Sequence, residues 1–448
     1  MKMIGGSCRA ARVMGTAALL LAFAAGAQTQ NQNSQGQNSN GNPSSNDNAW
    51  PYAVNPTTGK SPVLAVVGDV ACQPAEEPGG EKVGENCSGD TAQNLVLSQA
   101  ATAQQIENMK PDLVALVGDE QYQVGQYSDF ENSYELSYGA FKFLTRPAPG
   151  NHEFYTEHGA VGVAGYGYFS YFNGVQHNAD GTVMTATIAN NPDTAGTFTQ
   201  PVPYSDGQAG HFEETGGLGN TVPAGGPVGV GDGWYSYNLG GWHLISLNIE
   251  CETQPGGCSA MGPWFAAELA WLKNDLAANH SACTAAYWHQ PTYSAANGLG
   301  EEGITAQAFW QLLYEYGADL VLNGHDHLYA RYRPLDASGN YDPRKGIREF
   351  IVGTGGETLD AVVTTDTTTA DPSGNQNFNA QNLEAATGQF WGVMGLTLAQ
   401  NGYAWDFESA LKDPAQPAGG SRYSDKGFGA CHGPLNRGGY NNQGHDDH

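Results

Sequence analysis

The sequence predicts an α/β fold in which short buried strands alternate with helices. Two observations predict it. Several short apolar runs are rich in β-branched residues, and helical patterns or polar loops separate them. Each of these runs also ends just before an Asp, Asn or His. Because strand ends in such a fold converge on one edge of the sheet, where ligands bind, we expect these polar side chains to lie together.

Residues 1–27 are predicted to be a cleaved secretory signal peptide, so that the mature protein is secreted or periplasmic. Three basic residues precede an apolar run at 13–24, and 25–27 reads Ala-Gly-Ala, an Ala-x-Ala cleavage site. An uncleaved membrane anchor is the alternative, but the run is too short to span a bilayer comfortably. We therefore expect no stable association with a membrane.

The rest of the chain divides into three predicted parts. Residues 28–50 are polar and of low complexity, which indicates a disordered leader. The folded domain is predicted to span 51–412, and 413–448 is a Gly/Asn-rich tail. An insertion at about 173–233 is either a lid over a functional site or a surface decoration. His177 and His211 lie in this insertion, and we interpret both as solvated loop residues.

Strands and helices are placed by periodicity and by turn residues. The predicted strands of the first half lie at 62–67, 112–117, 234–239 and 242–249, and the last two form a hairpin across Gly240-Gly241. Later strands are predicted at 285–288, 319–322, 346–352, 392–399 and 402–408, of which the last two are expected to close a second sheet. Helices are predicted at 91–109, 130–143, 263–279 and 303–316.

The net charge of the chain is −27, and loss of the signal peptide would remove three further positive charges. Such a protein repels polyanions, so nucleic acid is excluded as an expected partner. Small phosphorylated substrates remain compatible with this charge, because salt screens the global field within about 8–10 Å and multivalent ions would dominate a pocket.

Seven cysteines are present, and six remain without Cys8 of the signal peptide. An even number in an exported chain favours disulfides over free thiols, although six cysteines allow 15 connectivities. The natural local pairs are Cys72–Cys87 and Cys251–Cys258, which leaves Cys283–Cys431 to tether the tail. Zinc binding is the alternative, but no Cys-x-x-Cys pair is present.

Metal-type ligands follow five hydrophobic segments of the chain. They are Asp69, then Asp119 with Tyr122, then Asn151 with His152, then His289, and finally His325 with His327. One His-x-His pair alone is weak, because two solvated loop histidines are common. The recurrence of metal-type ligands at the ends of five such segments is hard to attribute to turns. Histidine is the commonest transition-metal ligand, and Gly324 allows a close turn that brings both rings in.

This ordered set resembles the calcineurin-like metallophosphoesterases, and within them the purple acid phosphatases and their bacterial secreted relatives. The motifs that carry the resemblance are Asp69, Gly118-Asp119-Glu-Gln-Tyr122, Gly150-Asn151-His152-Glu153, His289 and Gly324-His325-Asp326-His327. It covers roughly 60–410. The resemblance implies an αββα sandwich of two mixed β-sheets flanked by helices, without a separate N-terminal β domain.

The resemblance also implies two metal ions. One would be bound by Asp69, Tyr122 and His327, the other by Asn151, His289 and His325, and Asp119 would bridge them. A phenol with a free pKa near about 10 ionises only against a strongly acidic cation, which favours ferric iron at the first position. The second set suits a divalent ion such as zinc, manganese or ferrous iron.

The implied activity is hydrolysis of phosphomonoesters, with a metal-activated water as nucleophile. His152 is expected to protonate the leaving oxygen or to stabilise charge; the alternative is that it only orients Asn151. One alternative function is a phosphodiesterase or nucleotide hydrolase on the same metal core. Another is a non-catalytic secreted binding module that keeps the metal for stability.

The chain departs from the family pattern at two places. Bacterial relatives often have a second His and an Arg beyond the lone ligand, where this chain has Gln290 and Thr292. After the paired histidines they commonly show Tyr-Glu-Arg, whereas this chain has Tyr329-Ala-Arg331. The ligand set is unaffected, but substrate contacts and leaving-group protonation are expected to differ.

Overall fold

The computed structural model describes residues 61–72, 97–155, 165–173, 214–216, 233–252, 254, 256–296, 303–363, 380–412 and 420–432. The predicted signal peptide, the polar leader and most of the 173–233 insertion, with His177 and His211, lie outside these ranges. None of the described helices is long and apolar enough to cross a bilayer.

Two mixed β-sheets form the centre of the fold. The first contains, in spatial order, β14 (Ser424–Ala430), β13 (Gly402–Lys412), β12 (Phe390–Ala399), β1 (Val63–Val67), β2 (Leu113–Val117) and β3 (Thr145–Ala148). The second contains β11 (Leu383–Thr387), β9 (Tyr329–Tyr332), β10 (Arg348–Val352), β8 (Leu320–Asn323), β7 (Cys283–Tyr287), β6 (Trp242–Ser246), β5 (Tyr235–Leu239) and β4 (Glu214–Gly216). Parallel pairing joins β1–β2–β3 in one sheet and β6–β7–β8–β10 in the other.

Helices accompany both sheets. The described α-helices are α1 (Leu97–Met109), α2 (Tyr127–Asn132), α3 (Asn151–Phe154), α4 (Tyr166–Asn173), α5 (Pro263–Ala278) and α6 (Gly303–Tyr316). Pro263 stands at the start of α5, where its missing amide hydrogen has no helical partner to lose.

The buried residues form two hydrophobic clusters, and strand alternation divides side chains between them. Leu320 and Leu322 of β8 belong to the cluster between the two sheets, whereas Val321 faces the cluster formed with α5 and α6. Ile106 of α1 packs against the first sheet. The layers are therefore helix, sheet, sheet and helix, and the predicted αββα sandwich of two mixed sheets is confirmed.

The prediction of one continuous helix near 130–143 is wrong. The chain forms α2 and then two 3₁₀ segments, Tyr134–Leu136 and Tyr138–Leu144. Ser133 and Ser137 separate these pieces, with φ near −130° and ψ near −70°. Packing of the aromatic rings of this segment against α4, such as Phe130 against Tyr171 with centroids 4.8 Å apart, overrides local helical preference.

The placement of the last two predicted strands is corrected. β12 and β13 belong to the first sheet, where β12 pairs antiparallel with β1, rather than to the sheet built from the later strands. The register Ala65↔Gly395 makes β1 a central strand, which suits its continuous apolar sequence.

Part of the predicted C-terminal tail forms a strand. β14 pairs with β13, and its glycines face aromatic rings: a Cβ on Gly427 or Gly429 would lie 2.3 or 2.4 Å from Trp405 or Tyr403. Glycine is normally depleted in strands, so the sequence pattern concealed this element, whereas close approach of a neighbouring ring explains it.

Two of the predicted disulfides are present. Cys251 is bonded to Cys258, and Cys283 is bonded to Cys431, which joins the first residue of β7 to the segment after β14. Cys72 is also disulfide-bonded, and its predicted partner Cys87 lies outside the described residues.

Candidate metal centre

The carboxyl ends of β1, β2, β7 and β8 meet on one side of the molecule. Asp69 and Asp119 follow β1 and β2 directly after a glycine, and His325 follows β8 in the same way. These three residues have left-handed backbone conformations, with φ of 59°, 49° and 67°. Such conformations are uncommon outside glycine and concentrate at functional sites, where surrounding structure enforces them.

Backbone amides of the Gly324–His325 turn contact the loops of both sheets. The amide of His325 donates to Asp69 Oδ2 at 3.0 Å, and the amide of Gly324 donates to the His289 carbonyl at 3.0 Å. A Cβ on Gly324 would lie 2.5 Å from Asp69 Oδ2. The glycine is therefore needed for close approach, which brings ligands from different sheets within reach of one another.

The first predicted ligand set converges on the Tyr122 hydroxyl. This oxygen lies 2.9 Å from Asp69 Oδ1 and 3.1 Å from His327 Nε2, and His327 Nε2 is 3.3 Å from Asp69 Oδ1. Asp69 and Tyr122 are almost completely buried, whereas the His327 side chain is 21% exposed. One face of this group is thus open toward solvent.

The second predicted set lies beside the first. Asn151 Oδ1 is 3.2 Å from His325 Nδ1, which in turn is 3.3 Å from His289 Nε2. Asn151 opens the short helix α3 that follows β3, whereas the two imidazoles come from the other sheet. The atom that His325 presents to this set is Nδ1.

Asp119 lies between the two sets. Its Oδ2 atom is 3.0 Å from the Tyr122 hydroxyl and 3.0 Å from His289 Nε2, and its Oδ1 accepts the His152 amide at 2.9 Å. The structure therefore brings all seven side chains predicted as ligands into one continuous group. Among the described residues, Asp119, His289 and His325 also meet the spacing expected of a metal site.

Hydrogen bonds fix the imidazole orientations. His289 Nδ1 donates to the Val117 carbonyl at 2.9 Å and His327 Nδ1 donates to the Thr358 carbonyl at 2.8 Å, so Nε2 of each ring faces the group. Such bonds to the second ring nitrogen are usual for metal-ligating histidines. In the neutral ring, Nε2 of His289 directs a lone pair at Asp119 Oδ2, and two acceptors 3.0 Å apart repel unless a proton or a cation lies between them.

The chemistry and the spacing of these side chains fit metal ions. Carboxylate, phenol, amide and imidazole groups present acceptor atoms to one another at 2.9–3.3 Å. Ligand atoms about 2.0–2.2 Å from a shared ion would stand about 3 Å apart at right angles. The spacing therefore matches ligands arranged around cations as well as it matches hydrogen-bonded partners.

Electrostatics also favour positive charge here. Burial alone would lower the pKa of His289, but the Asp119 carboxylate outweighs it and raises that pKa to about 10. Burial likewise opposes charge on His327, yet Asp69 raises its pKa to about 10. His325 behaves differently, because burial and the neighbouring His289 hold its pKa well below the usual value. The carboxylates that stabilise imidazolium would equally stabilise a metal ion.

His152 lies beside the group rather than in it. Its Nδ1 donates to the Gln123 carbonyl at 2.6 Å, and its Nε2 lies 3.8 Å from Asp119 Oδ2. The side chain is 16% exposed, and burial lowers its pKa although Asp119 opposes the effect. The sequence assigned His152 to the substrate side of the site, and this position is compatible with that assignment.

Three supporting residues were not found from the sequence. Asp360 Oδ2 accepts the His327 amide at 2.9 Å, the Thr358 carbonyl accepts the His327 ring, and the Tyr155 hydroxyl accepts a hydrogen bond from Asn151 Nδ2 at 2.6 Å. Only Tyr155 gave a signal, because it stands four residues after Asn151 where a helical turn follows. Asp360 and Thr358 act from a distant loop and no local pattern marks them.

The departures from the family pattern have structural partners. Gln290 is buried and donates to Glu250 Oε1 at 2.7 Å, while Thr292 is buried and its amide donates to Glu349. Arg331 pairs with Asp425 and Glu384, and Arg333 lies over the Tyr341 ring. Both arginines are thus engaged by neighbouring side chains.

The glycine turn at 353–356 is occupied by backbone contacts. The Gly353 amide donates to Leu328 and the Gly355 amide to Gly68, both through main-chain carbonyls. These two amides are therefore engaged with neighbouring loops.

The two-sheet fold and the grouping of carboxylates and imidazoles at its strand ends define a metallophosphoesterase-type protein. The chain belongs to the calcineurin-like phosphoesterase family, whose pattern matches residues 63–329.

Purple acid phosphatases are among its relatives. Purple acid phosphatase 15 of Arabidopsis thaliana is 35% identical over 102 residues, which are 22% of this chain and 18% of that protein. An acid phosphatase of Aspergillus ficuum is 30% identical over 25% of this chain and 24% of its own. The chain thus matches less than a quarter of the length of either relative. The structure of purple acid phosphatase PPD1 from yellow lupin seeds is 15% identical, with a TM-score of 0.47, over 82% of this chain and 54% of that one.

Proposed function

We propose that this protein is an exported phosphatase that hydrolyses phosphomonoesters with two metal ions. One ion would be held by Asp69, Tyr122 and His327 and the other by Asn151, His289 and His325, with Asp119 shared. The position of Asp119 carries the proposal, because a single buried carboxylate oxygen lies 3.0 Å from one member of each set. Family membership and the purple acid phosphatase relatives support the same reaction class.

The metals are proposed from the chemistry of the ligands. Ferric iron suits the set that contains a phenol, and zinc, manganese or ferrous iron suits the set with two imidazoles and an amide. The chemistry supplied by such an ion pair is acidification of a water and neutralisation of charge on the phosphoryl oxygens.

The protein residues would position the reaction. Backbone bonds from His152 and His325 hold the carboxylates of Asp119 and Asp69 in place. His152 donates through Nδ1 to the Gln123 carbonyl, so Nε2 is the atom that would carry a proton to the leaving-group oxygen. The His152 side chain is partly exposed, which supports contact with a substrate.

A substrate panel tests the proposal. The purified protein is assayed with an aryl phosphate, a bis-aryl phosphate and nucleotides, and its bound metals are measured by elemental analysis. We expect about two ions per chain and the highest kcat/KM on the monoester. A preference for the diester or for nucleotides would instead identify the alternative hydrolases, and metal binding without hydrolysis would identify a binding module.

Two variants separate ligand and proton-donor roles. Asn151→Ala is expected to bind one ion more weakly and to lose most of the activity, whereas His152→Ala is expected to keep both ions and lose about 10²–10⁴-fold in kcat. His280→Ala, at an exposed position after α5, is the matched control. Activity that survives equally in the first two variants would point to a contaminating enzyme and overturn the proposal.

A further inference from the structure

The Asn151 side chain has two orientations that differ by a half-turn of the amide. Only the orientation that directs Oδ1 at His325 and His289 presents a cation with a lone pair, because the NH₂ group has only donors. In the structure Oδ1 is the atom facing His325 Nδ1, at 3.2 Å. Whatever holds this orientation therefore governs the second predicted ligand set.

Tyr155 contacts the other side of the same amide. Asn151 Nδ2 donates to the Tyr155 hydroxyl at 2.6 Å. This hydrogen bond keeps the NH₂ group of the amide, which would repel a cation, turned away from His325 and His289. The spacing is set by the backbone. The Tyr155 amide donates to the Asn151 carbonyl at 3.1 Å, and this turn places both side chains on one face.

The Tyr155 ring is itself held in place by its neighbours. Its centroid lies 4.7 Å from that of His152, and the centroid of the His152 ring lies 4.2 Å from that of Tyr122. Tyr155 is half-buried. A phenol packed in this way loses little further conformational freedom when its hydroxyl binds Asn151. Residues that orient a ligand in this manner raise the affinity of the site for its metal.

We propose that Tyr155 is a positioning residue that fixes the Asn151 amide and thereby sets the affinity of the Asn151–His289–His325 set for its ion. This inference rests on the proposed function for the existence of that ion, but not on the identity of the substrate. It predicts selectivity: loss of the hydroxyl weakens one ion and leaves the one at Asp69, Tyr122 and His327 unchanged.

The test is zinc titration of metal-stripped protein by calorimetry. Tyr155→Phe keeps the ring and removes the hydroxyl, and Tyr341→Phe, at an exposed tyrosine, is the matched control. We expect two binding events in the wild type and in Tyr341→Phe. In Tyr155→Phe one event should weaken about 10–100-fold, the range found for partners that orient metal ligands, and the other should keep its dissociation constant.

A second comparison excludes a general structural effect. In an Asn151→Ala background, Tyr155→Phe should cause no further loss of zinc affinity, because the group that it orients is absent. Equal affinities in Tyr155→Phe and wild type, parallel weakening of both ions, or the same loss in the Asn151→Ala background would each overturn the inference. Two ions without phosphatase activity would refute the proposed function while leaving the role of Tyr155 supported if the selective loss is seen.

Discussion

The hydroxyl oxygen of Tyr122 lies 2.9 Å from Oδ1 of Asp69, although 53 positions separate the two residues in the chain. Burial raises the pKa of Tyr122 well above its ordinary value, and the carboxylates of Asp119 and Asp69 raise it further. Only a strongly Lewis-acidic ion would displace the proton of such a phenol. Substitution of Tyr122 is therefore the most direct test of the identity of the first ion.

Tyr122→Phe is expected to abolish visible colour and to weaken the first ion by at least about tenfold, because a phenolate ligand to ferric iron is lost. Absorption spectra and elemental analysis of wild type, Tyr122→Phe and the exposed-site control Tyr341→Phe measure both effects. Colour that persists in Tyr122→Phe would contradict an iron–phenolate bond, and a colourless but active wild type would indicate a different metal.

Gly118→Ala is expected to displace His289. Gly118 has a φ of 94°, and a Cβ there would lie 2.3 Å from His289 Nδ1. We expect loss of metal and a fall in kcat/KM of about 10²-fold, the cost of a displacement near 1 Å at a reacting centre. Elemental analysis and steady-state kinetics of the purified variant measure the two effects.

Gly257→Ala separates backbone strain from steric clash. Gly257 has a φ of 58°, and no atom lies within 4 Å of an added Cβ. The substitution therefore causes backbone strain without a steric clash, at a cost of about 1–3 kcal/mol in the free energy of unfolding. We expect a lower urea midpoint with normal metal content. If both glycine variants lost metal equally, the contact with His289 would not be the cause.

Asp319 is expected to make stability depend on pH. Burial raises the pKa of Asp319 from 3.8 to about 7 although the amides of Thr284 and His432 oppose the change. Because the folded-state pKa lies above the unfolded one, the folded state binds this proton more tightly. Its stabilising contribution is complete below about pH 4 and is lost as pH rises through 7.

Urea unfolding of wild type and Asp319→Asn between pH 4 and pH 8 checks this. The free energy of unfolding of the wild type should fall relative to that of the variant across this range, by about 1.4 kcal/mol for each unit of pKa shift. The His432 Nδ1 atom lies 3.2 Å from Asp319 Oδ1, so the two proteins are also compared in a His432→Gln background, which removes this imidazole. Parallel pH profiles of the paired proteins would contradict the assignment.

Asp425 is expected to couple the two sheets. It lies on β14 of the first sheet and accepts hydrogen bonds from the Tyr329 hydroxyl and from Arg331 Nε of the second sheet, each at 2.7 Å. Burial alone would raise the pKa of Asp425, but these bonds lower it. Asp425→Ala should cost about 3 kcal/mol, since it leaves a largely buried guanidinium with fewer partners.

Asp406→Ala is the control for that variant. Asp406 pairs with Lys426 near the same strand, but both side chains are about half exposed. Removing an exposed pair should change the free energy of unfolding by no more than about 1 kcal/mol. Equal losses in Asp425→Ala and Asp406→Ala would show that burial of the ion pair does not determine its contribution.

The fold and the position of the site could both be predicted from the sequence, because the same strands that define the fold also place the residues that follow them. A run such as 63–67 predicts a buried strand, and the residue after its glycine must then lie at the shared edge. The roles of the seven side chains as ligands remain predictions, although the structure brings the side chains together.

What could not be read depends on contacts between distant segments. Asp360 supports His327 from 33 positions away, and Gly427 lies in a strand only because the Trp405 ring covers it. Neither residue has a local pattern that differs from an ordinary loop. The membership of β12 in the first sheet was likewise invisible, because its partner β1 lies more than 300 positions earlier in the sequence.

That last pairing has a consequence for how the protein forms. Until residues beyond Phe390 have been synthesised, one edge of β1 has no neighbour, and an apolar strand with free amides and carbonyls is prone to aggregate. Contacts spanning most of the chain also slow folding. The nascent polypeptide must therefore be kept from misassociating until β12 has left the ribosome, so chaperone demand during production should be high.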